Sequence, residues 1–204
     1  ADAILEVWYP GTSGGLGVAD ILFGKYNPSA KLPVTFPRNL GQVPIYYNQK
    51  NTGRPISKEN PTEDYKSNYI DSPNTPLYPF GHGLSYTTFK YSEIELSNDK
   101  VRESEVLKAS STITNTGNFD GHEVVQLYIR DKVGSITRPV KELKDFKKIF
   151  LKKGESKTVI FEISNNDLKF YNNGKLVLES GEFEIGISPS SDFEFNKSFN
   201  LILN

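Results

Sequence analysis

The second half of this sequence is dominated by an alternation of apolar and polar residues. From about residue 87 onward, apolar side chains recur at every second position within short segments, and turn signals such as Asn173-Gly174 separate the segments. The apolar-side sets are Leu107, Ala109, Ser111 and Ile113; Val125, Leu127 and Ile129; Val159, Phe161 and Ile163; Phe183, Ile185 and Ile187; and Phe199, Leu201 and Leu203. A period of two is typical of strands with one buried face, and about seven such strands predict an antiparallel β-sandwich over residues 87–204.

The first 24 residues follow a different pattern. Residues 3–9 form a short apolar run, and apolar residues then return at helical spacing between Gly11 and Gly24, which is placed to cap a helix. These features predict one strand–turn–helix unit. Because a lone strand needs neighbours in a sheet, we expect its partners to come from chain that precedes Ala1.

Residues 25–86 contain most of the chain's 12 prolines and follow neither period. Proline lacks a backbone N–H and fixes φ, so this composition predicts an extended, irregular segment. Aromatic residues are frequent enough to pack the segment onto a surface. The aromatic residues expected to do so are Tyr46, Tyr47, Tyr65, Tyr69, Tyr78 and Phe80.

Charge and composition exclude several classes of function. Lys plus Arg is 24 and Asp plus Glu is 25, so the net charge of −1 offers no electrostatic reason to bind nucleic acid. The apolar runs fall far short of the ~20 residues of a membrane span. Cysteine is absent, and the two histidines, His82 and His122, have no partner at ligand spacing, so we expect neither a metal nor a cofactor.

One motif has a catalytic interpretation. Residues 11–15 match G-x-S-x-G between a predicted strand and a predicted helix, where Ser13 would be the nucleophile and His82 or His122 the base. The alternative is a glycine-rich turn with a surface or capping serine. We favour the turn, because a hydrolase of that kind needs a complete sheet around the serine and only sandwich-like strands follow.

Polar and aromatic residues in the proline-rich segment are candidates for carbohydrate contact. Aromatic faces suit the C–H faces of sugars, whereas amides and guanidinium groups suit their hydroxyls. The substrate-binding candidates on these grounds are Tyr47, Asn51 and Arg54, with Tyr46 and Asn48 beside them. The alternative, which we favour, is that these residues dock the segment between two domains.

Long stretches of the chain carry a family resemblance. They are residues 8–55, PLYPFGHGLSYTTFKYS at 76–92, ITNTG at 113–117, GHEVVQLYIRD at 121–131, SITRPVKELKDFKKIFLKKGESKTV at 135–159 and FYNN at 170–173. In this order they closely resemble the glycoside hydrolase family 3 β-glucosidases. The resemblance covers essentially the whole chain.

The resemblance implies a three-part enzyme, with a (β/α)₈-type barrel, an α/β sandwich domain and a fibronectin type III-like domain. On this basis residues 1–36 are the incomplete C-terminal end of the α/β sandwich domain. Residues 37–86 are an extended inter-domain segment, which we call the strap, and residues 87–204 are the fibronectin type III/immunoglobulin-like sandwich. The expected partners are the barrel and the α/β sandwich domain, upstream in the same protein.

The same resemblance implies a reaction, the retaining, exo-acting hydrolysis of β-glycosides. Its aspartate nucleophile and glutamate acid/base would lie upstream of Ala1, so we expect no catalytic residue here and an accessory portion that is inactive by itself. A periplasmic or secreted location is favoured over a cytoplasmic one. The alternative function is a non-catalytic β-sandwich module that binds carbohydrate or protein.

The chain departs from the family pattern at two positions. Ser13 stands where the family commonly has glutamate, and His82 stands where tyrosine is usual. The first departure creates the G-x-S-x-G match and puts in doubt that this turn works as it does in relatives. The second is expected to be a neutral change in a packed turn.

Overall fold

A computed structural model describes residues 1–55 and 64–203. Its strands are β1 (Phe89–Tyr91), β2 (Glu95–Leu96), β3 (Lys100–Arg102), β4 (Leu107–Asn115), β5 (Gly121–Asp131), β6 (Glu142–Leu151), β7 (Ser156–Ile163), β8 (Phe170–Asn172), β9 (Lys175–Val177), β10 (Gly181–Ser188) and β11 (Lys197–Ile202). The helices are α1 (Gly14–Leu22), a 3₁₀ turn (Leu40–Gln42) and α2 (Asn165–Leu168). The mainly β fold class predicted from the alternation is confirmed.

Two sheets face each other to form the sandwich. In the first, β4 pairs with β7 on one edge and with β1 and β2 on the other. In the second, the strand order is β3-β11-β10-β5-β6, and every pairing is antiparallel except that of β11 with β3. Strand β6 therefore lies at one edge of the second sheet, and β5 lies inside it.

The hydrophobic core lies between the sheets and is built from the alternating residues. Side chains from both sheets are nearly inaccessible, for example Val125 and Ile185 at 0% and Phe161 at 0%. The core cluster contains Leu107, Ala109, Ile113, Val125, Leu127, Ile129, Val159, Phe161, Ile163, Phe183, Ile185, Ile187, Phe199 and Leu201, with Leu203 partly buried against it. The predicted inward sets are thus confirmed, because a period of two places alternate side chains on one face.

The outer face of β5 is buried as well. Gln126 and Tyr128, which the alternation assigns to the side facing away from the core, are exposed by only 3% and 0%. The strap lies over them and covers the middle of the sheet, as the ring stack of Tyr47 and Phe80 against Tyr128 shows. Strand β5 is consequently enclosed on both faces.

The first 24 residues form one helix and no strand. Helix α1 ends at the predicted glycine, because Gly24 has a φ of 73° and its N–H bonds to the carbonyl of Ile21. Residues 1–10 belong to no strand in the structure described here, so the predicted strand does not pair. Its apolar side chains stay accessible, with Trp8 exposed by 51% and Tyr9 by 99%.

Side-chain hydrogen bonds attach this N-terminal region to the rest of the molecule. The Asn27 amide donates to the carbonyl of Asp120, and its oxygen accepts from Ser85 Oγ and from the N–H of Tyr86. The Tyr86 hydroxyl donates to the carbonyl of Ile21, at the end of α1. The helix is therefore linked to the end of the strap and to the start of β5.

No helix in the described part of the chain is long and apolar enough to span a membrane. The longest, α1, has 9 residues, whereas a bilayer crossing takes about 20.

Candidate functional site

The strap begins and ends side by side. Phe36 and Tyr78 form an isolated antiparallel bridge, with the Phe36 N–H donating to the Tyr78 carbonyl at 2.8 Å. Four residues before Phe36, the Leu32 N–H donates to the His82 carbonyl at 2.7 Å, and the Gly81 N–H donates to the Leu32 carbonyl at 2.8 Å. Residues 32–36 and 78–82 therefore form a short paired stem, and the chain between them is a closed loop.

A buried ion pair fastens this stem to the sandwich. Lys31 Nζ lies 3.2 Å from Glu123 Oε1, and the two side chains are exposed by only 12% and 4%. Lys31 also donates to the Gly83 carbonyl, and the Tyr91 hydroxyl donates to the same Glu123 oxygen at 2.8 Å. These contacts join both arms of the stem to β1 and β5.

Burial controls the titration of this cluster. It raises the pKa of Glu123, while the Lys31 ammonium and the hydrogen bonds from Tyr91 and Lys31 act in the opposite direction. Burial and the neighbouring Glu123 carboxylate raise the pKa of Tyr91. The arrangement keeps a lysine and a carboxylate together in a place where neither would be stable alone.

An aromatic stack and a buried amide hold the strap on the outer face of β5. The Tyr47 ring lies parallel to that of Phe80 with centroids 4.2 Å apart, and its hydroxyl accepts a hydrogen bond from the Leu143 N–H. Gln126 Nε2 donates to the carbonyls of Gly81 and Pro189. The strap is thus held by packing and by hydrogen bonds to main-chain carbonyls.

Gly81 is required at this contact. It has a φ of 78°, which favours glycine, and an added Cβ would overlap Gln126 Oε1. That same oxygen accepts a 2.6 Å hydrogen bond from the Tyr128 hydroxyl, so the amide has little freedom to move away. A larger residue would have to displace the Gln126 amide from its hydrogen bond with Tyr128.

The structure does not assemble a serine–histidine pair. Ser13 is the exposed N-cap residue of α1, and its side chain makes no capping hydrogen bond. His82 stacks on Tyr78 with centroids 5.2 Å apart, and His122 packs on Phe150. Among the hydrogen bonds of the described residues, none joins Ser13 to either histidine, which agrees with the turn interpretation.

The environment of His82 favours its neutral form. Partial burial lowers the pKa of this imidazole, and the nearby Lys31 ammonium lowers it further, against a smaller opposing effect of Asp192. A neutral ring also packs well against the face of Tyr78. Protonation of His82 is therefore less favourable in the folded chain than in the unfolded chain.

The three substrate-binding candidates lie in different surroundings. Tyr47 is used in packing, as described above. Asn51 is exposed and lines a cavity beside the β5–β6 loop, because the neighbouring Lys50 pairs with Pro139 and the Val140 N–H donates to the Gln49 carbonyl. Arg54 is exposed, and its carbonyl accepts from the Ser67 N–H. The structure thus leaves Asn51 and Arg54 accessible at the outer part of the strap.

The aromatic residues of the strap divide into two groups. Tyr47, Tyr78 and Phe80 pack as the sequence predicts. Tyr46, Tyr65 and Tyr69 do not, since they are exposed by 62%, 86% and 37%. Residues 56–63 of the strap lie outside the described residues.

Sequence reasoning missed Lys31, Glu123 and Gln126 as anchors. A signal existed for Glu123, which shares the inward register of Val125 and Leu127 and so places a carboxylate against the core. No comparable signal marked Lys31, because its partner lies 92 positions away. In the described residues no group of three or more His, Cys, Asp or Glu side chains could hold a metal ion.

Two family models match separate regions of the chain. The model described as the glycosyl hydrolase family 3 C-terminal domain matches residues 1–86. The model described as the fibronectin type III-like domain matches residues 123–191, which lie within the sandwich. The fibronectin type III-like class expected for the sandwich is therefore confirmed.

Similar proteins match along nearly the whole chain. A periplasmic β-glucosidase of Salmonella typhimurium is 50% identical over 203 residues, covering 99% of this chain and 26% of that protein. Thermostable β-glucosidase B of Acetivibrio thermocellus is 42% identical over 193 residues, covering 93% and 25%. The crystal structure of a mutant β-glucosidase from Listeria innocua in complex with laminaribiose has a TM-score of 0.92 at 43% identity, covering 98% and 28%. The chain thus spans about a quarter of the length of the curated relatives it matches.

Replacing Lys31 with methionine is expected to destabilise the chain. The Glu123 carboxylate would stay buried without its cation, which typically costs about 3–5 kcal/mol. The double variant Lys31→Met/Glu123→Leu should lose less, because no charge is left buried. Urea unfolding of the 204-residue chain measures both effects. Lys25→Met is the matched control, since the Lys25–Asp20 pair is exposed and worth at most about 1 kcal/mol. A Lys31→Met variant as stable as this control would contradict the anchoring role.

Replacing His82 with tyrosine is expected to reduce the loss of stability in mild acid. The folded-state pKa of His82 lies below its ordinary value of 6.5. As pH falls through that value, the unfolded chain therefore binds a proton that the folded chain resists, and stability declines. Unfolding free energies at pH 7 and pH 5 should differ less in His82→Tyr than in the parent chain. Identical differences in the two proteins would show that His82 does not contribute.

Proposed function

Because the chain belongs to glycoside hydrolase family 3 and corresponds to the C-terminal part of its members, we propose that it completes a retaining β-glucosidase acting on the non-reducing end of β-glycosides. The observation that carries the proposal is the match to β-glucosidases across nearly the entire chain. In this proposal the chain is an accessory and structural portion with no catalytic residue and no cofactor of its own.

The chemistry needs groups that we assign to the preceding domains. A retaining mechanism uses two carboxyl groups about 5–5.5 Å apart, one as nucleophile and one as acid/base. The buried carboxylate best fixed in this chain, Glu123, is paired with Lys31 beside the core and has no carboxylate partner in its cluster. Its surroundings support anchoring rather than glycosidic bond cleavage.

The N-terminal region supplies the surface for those domains. Around α1, Trp8, Leu16 and Phe23 are exposed by 51%, 74% and 85%, which is unusual for residues of their size unless another surface covers them. Residues 1–10 also offer an apolar run without strand partners. We assign residues 1–36 to the end of an α/β sandwich domain, with residues 37–86 as the strap and 87–204 as the fibronectin type III-like domain that braces it.

The outer part of the strap is the element closest to the substrate in this proposal. Arg54 and Asn51 are exposed and carry the guanidinium and amide groups that suit sugar hydroxyls. Tyr47 holds this part of the strap through its stack on Phe80. Arg54 and Asn51 would therefore contact the glycoside, with Tyr47 as a positioning residue.

The location proposed for the enzyme is the periplasm or the cell exterior. A named relative, the Salmonella typhimurium β-glucosidase, is periplasmic. The location of that relative supports a compartment outside the cytoplasm for the enzyme to which this chain would belong.

The proposal is tested with a chimera. Residues 1–204 replace the matching C-terminal quarter of the Salmonella typhimurium β-glucosidase, and turnover of an aryl β-glucoside is measured. We expect the chimera to be active, and the truncated relative and the isolated 204-residue chain to give no turnover. Thermal unfolding of each protein establishes that it is folded. Turnover by the isolated chain that is lost in Ser13→Ala would contradict the proposal and favour the serine nucleophile.

In the same chimera, Arg54→Ala is expected to raise KM about tenfold with a smaller effect on kcat. The reason is that Arg54 would bind the substrate equally well in the ground state and in the transition state, so its loss weakens binding without raising the barrier from the bound substrate. Steady-state kinetics with a β-linked glucose disaccharide measures the change. Arg102→Ala is the matched control, since Arg102 is an exposed arginine on β3. Equal kinetics for the two variants would remove Arg54 from the substrate site.

A further inference from the structure

A polar cavity lies where the strap meets the β5–β6 loop. Its volume is about 350 Å³, at the lower end of the range of small-molecule sites. Asn51 is the strap residue in its lining, and the other lining residues come from the end of β5 and from the β5–β6 loop, among them Asp131, Ser135, Thr137, Arg138 and Val140. It is separate from the Lys31–Glu123 cluster and from the Tyr47 stack.

Ion pairs and an aromatic ring fix Arg138, which lies in the side of the cavity that the β5–β6 loop forms. Arg138 is exposed by only 8%; its Nη2 donates to Glu142 at 2.9 Å, and its guanidinium lies 4.2 Å over the Phe170 ring. Asp131, exposed by 4%, lies beside the same guanidinium. A buried arginine between two carboxylates and an aromatic face has one position available, so this wall is rigid.

Hydrogen bonds with residues outside the β5–β6 loop fix the loop at Ser135. Ser135 donates through both its N–H and its hydroxyl to the Glu179 carboxylate, at 2.8 and 2.5 Å. These two hydrogen bonds lower the pKa of Glu179. The Asn172 amide, from the β8–β9 hairpin, donates to the same hydroxyl at 3.0 Å. The loop is thus ordered before any ligand arrives, which reduces the entropic cost of binding.

The charges around the cavity compensate one another. Arg130 pairs with Glu184 at 3.1 Å and Lys132 with Glu182 at 3.0 Å, in addition to the Arg138 pairs described above. No cation that lines the cavity is left without a carboxylate in the described structure. An anionic ligand such as a phosphate would meet these carboxylates, whereas an uncharged ligand would not.

A donor in this wall is left unsatisfied. Arg138 Nε is buried and has no hydrogen-bond partner among the described residues, since the nearest Asp131 oxygen lies 3.8 Å away. Thr137 and Asn51 add an exposed hydroxyl and amide to the same cavity. Arg138 Nε has almost no accessible surface, so the groups open to a ligand are this hydroxyl and this amide. An uncharged molecule rich in hydroxyls matches them, directly or through water.

From these observations we infer that the cavity between Asn51 and the β5–β6 loop is a binding site for an uncharged oligosaccharide. The choice of a β-linked glucan as the ligand rests on the proposed function, whereas the cavity and its charge balance do not. The site would hold a glycan on the accessory portion itself.

The experiment titrates the 204-residue chain with cellotetraose and follows amide chemical shifts by NMR. We expect saturable shifts centred on residues 130–140 and on Asn51. Thr137→Val and Asn51→Ala should each weaken binding about tenfold, equivalent to about 1.4 kcal/mol. Both positions are exposed, so the variants are expected to fold, and the NMR spectra report it directly. Asn48→Ala is the matched control, an exposed strap asparagine outside the cavity lining.

Two results would overturn the inference. One is the absence of saturable binding at about 10 mM cellotetraose, a concentration that reveals even a weak site. The other is tighter binding of tetragalacturonate than of cellotetraose, which would contradict the charge argument. This titration and the chimera test different claims. If the chain binds cellotetraose but the chimera is inactive, the proposed function is wrong and the cavity site stands. If the chimera is active but the chain does not bind cellotetraose, the cavity site is wrong and the proposed function stands.

Discussion

The burial of β5 on both faces is the constraint on which the rest of the molecule depends. Its inward residues complete the core, while Gln126 and Tyr128 on the other face are covered by the strap. A polar amide in that position is stable only while its hydrogen bonds to the strap and to Tyr128 are made. The docked strap in turn brings Asn51 beside the β5–β6 loop and leaves Arg54 accessible. Core, strap and candidate site are therefore one connected system.

The sandwich was predictable from the sequence because its information is local. A period of two assigns each side chain of β4, β5, β7 and β10 to a face, and the core followed those assignments. For the strap, the sequence predicts an extended, irregular segment but not the path of that segment. Proline excludes regular structure without specifying a path, so the exposure of Tyr65 and the packing of Tyr47 were not distinguishable beforehand. The anchors Lys31 and Gln126 depend on contacts between residues far apart along the chain, which no local pattern records.

The family relationship and the physical contacts answer different questions. The relationship assigns the chain to an enzyme family, yet fold and family do not specify what each residue does. The contacts identify which side chains are already used in holding the strap, such as Tyr47 and Glu123, and which are left accessible, such as Asn51 and Arg54. Taken together, they separate the side chains that hold the strap from those that stay available for contact with another molecule.

The paired stem of the strap, where Phe36 bridges to Tyr78, has an evolutionary consequence. With both ends fixed to each other, lengthening the intervening chain costs little, about 0.6 kcal/mol for each doubling. Insertions and deletions could accumulate there in descendants of this protein without loosening the sandwich or its junction with α1. The molecule thus combines a frame fixed by long-range contacts with a loop whose length can change at little cost in stability.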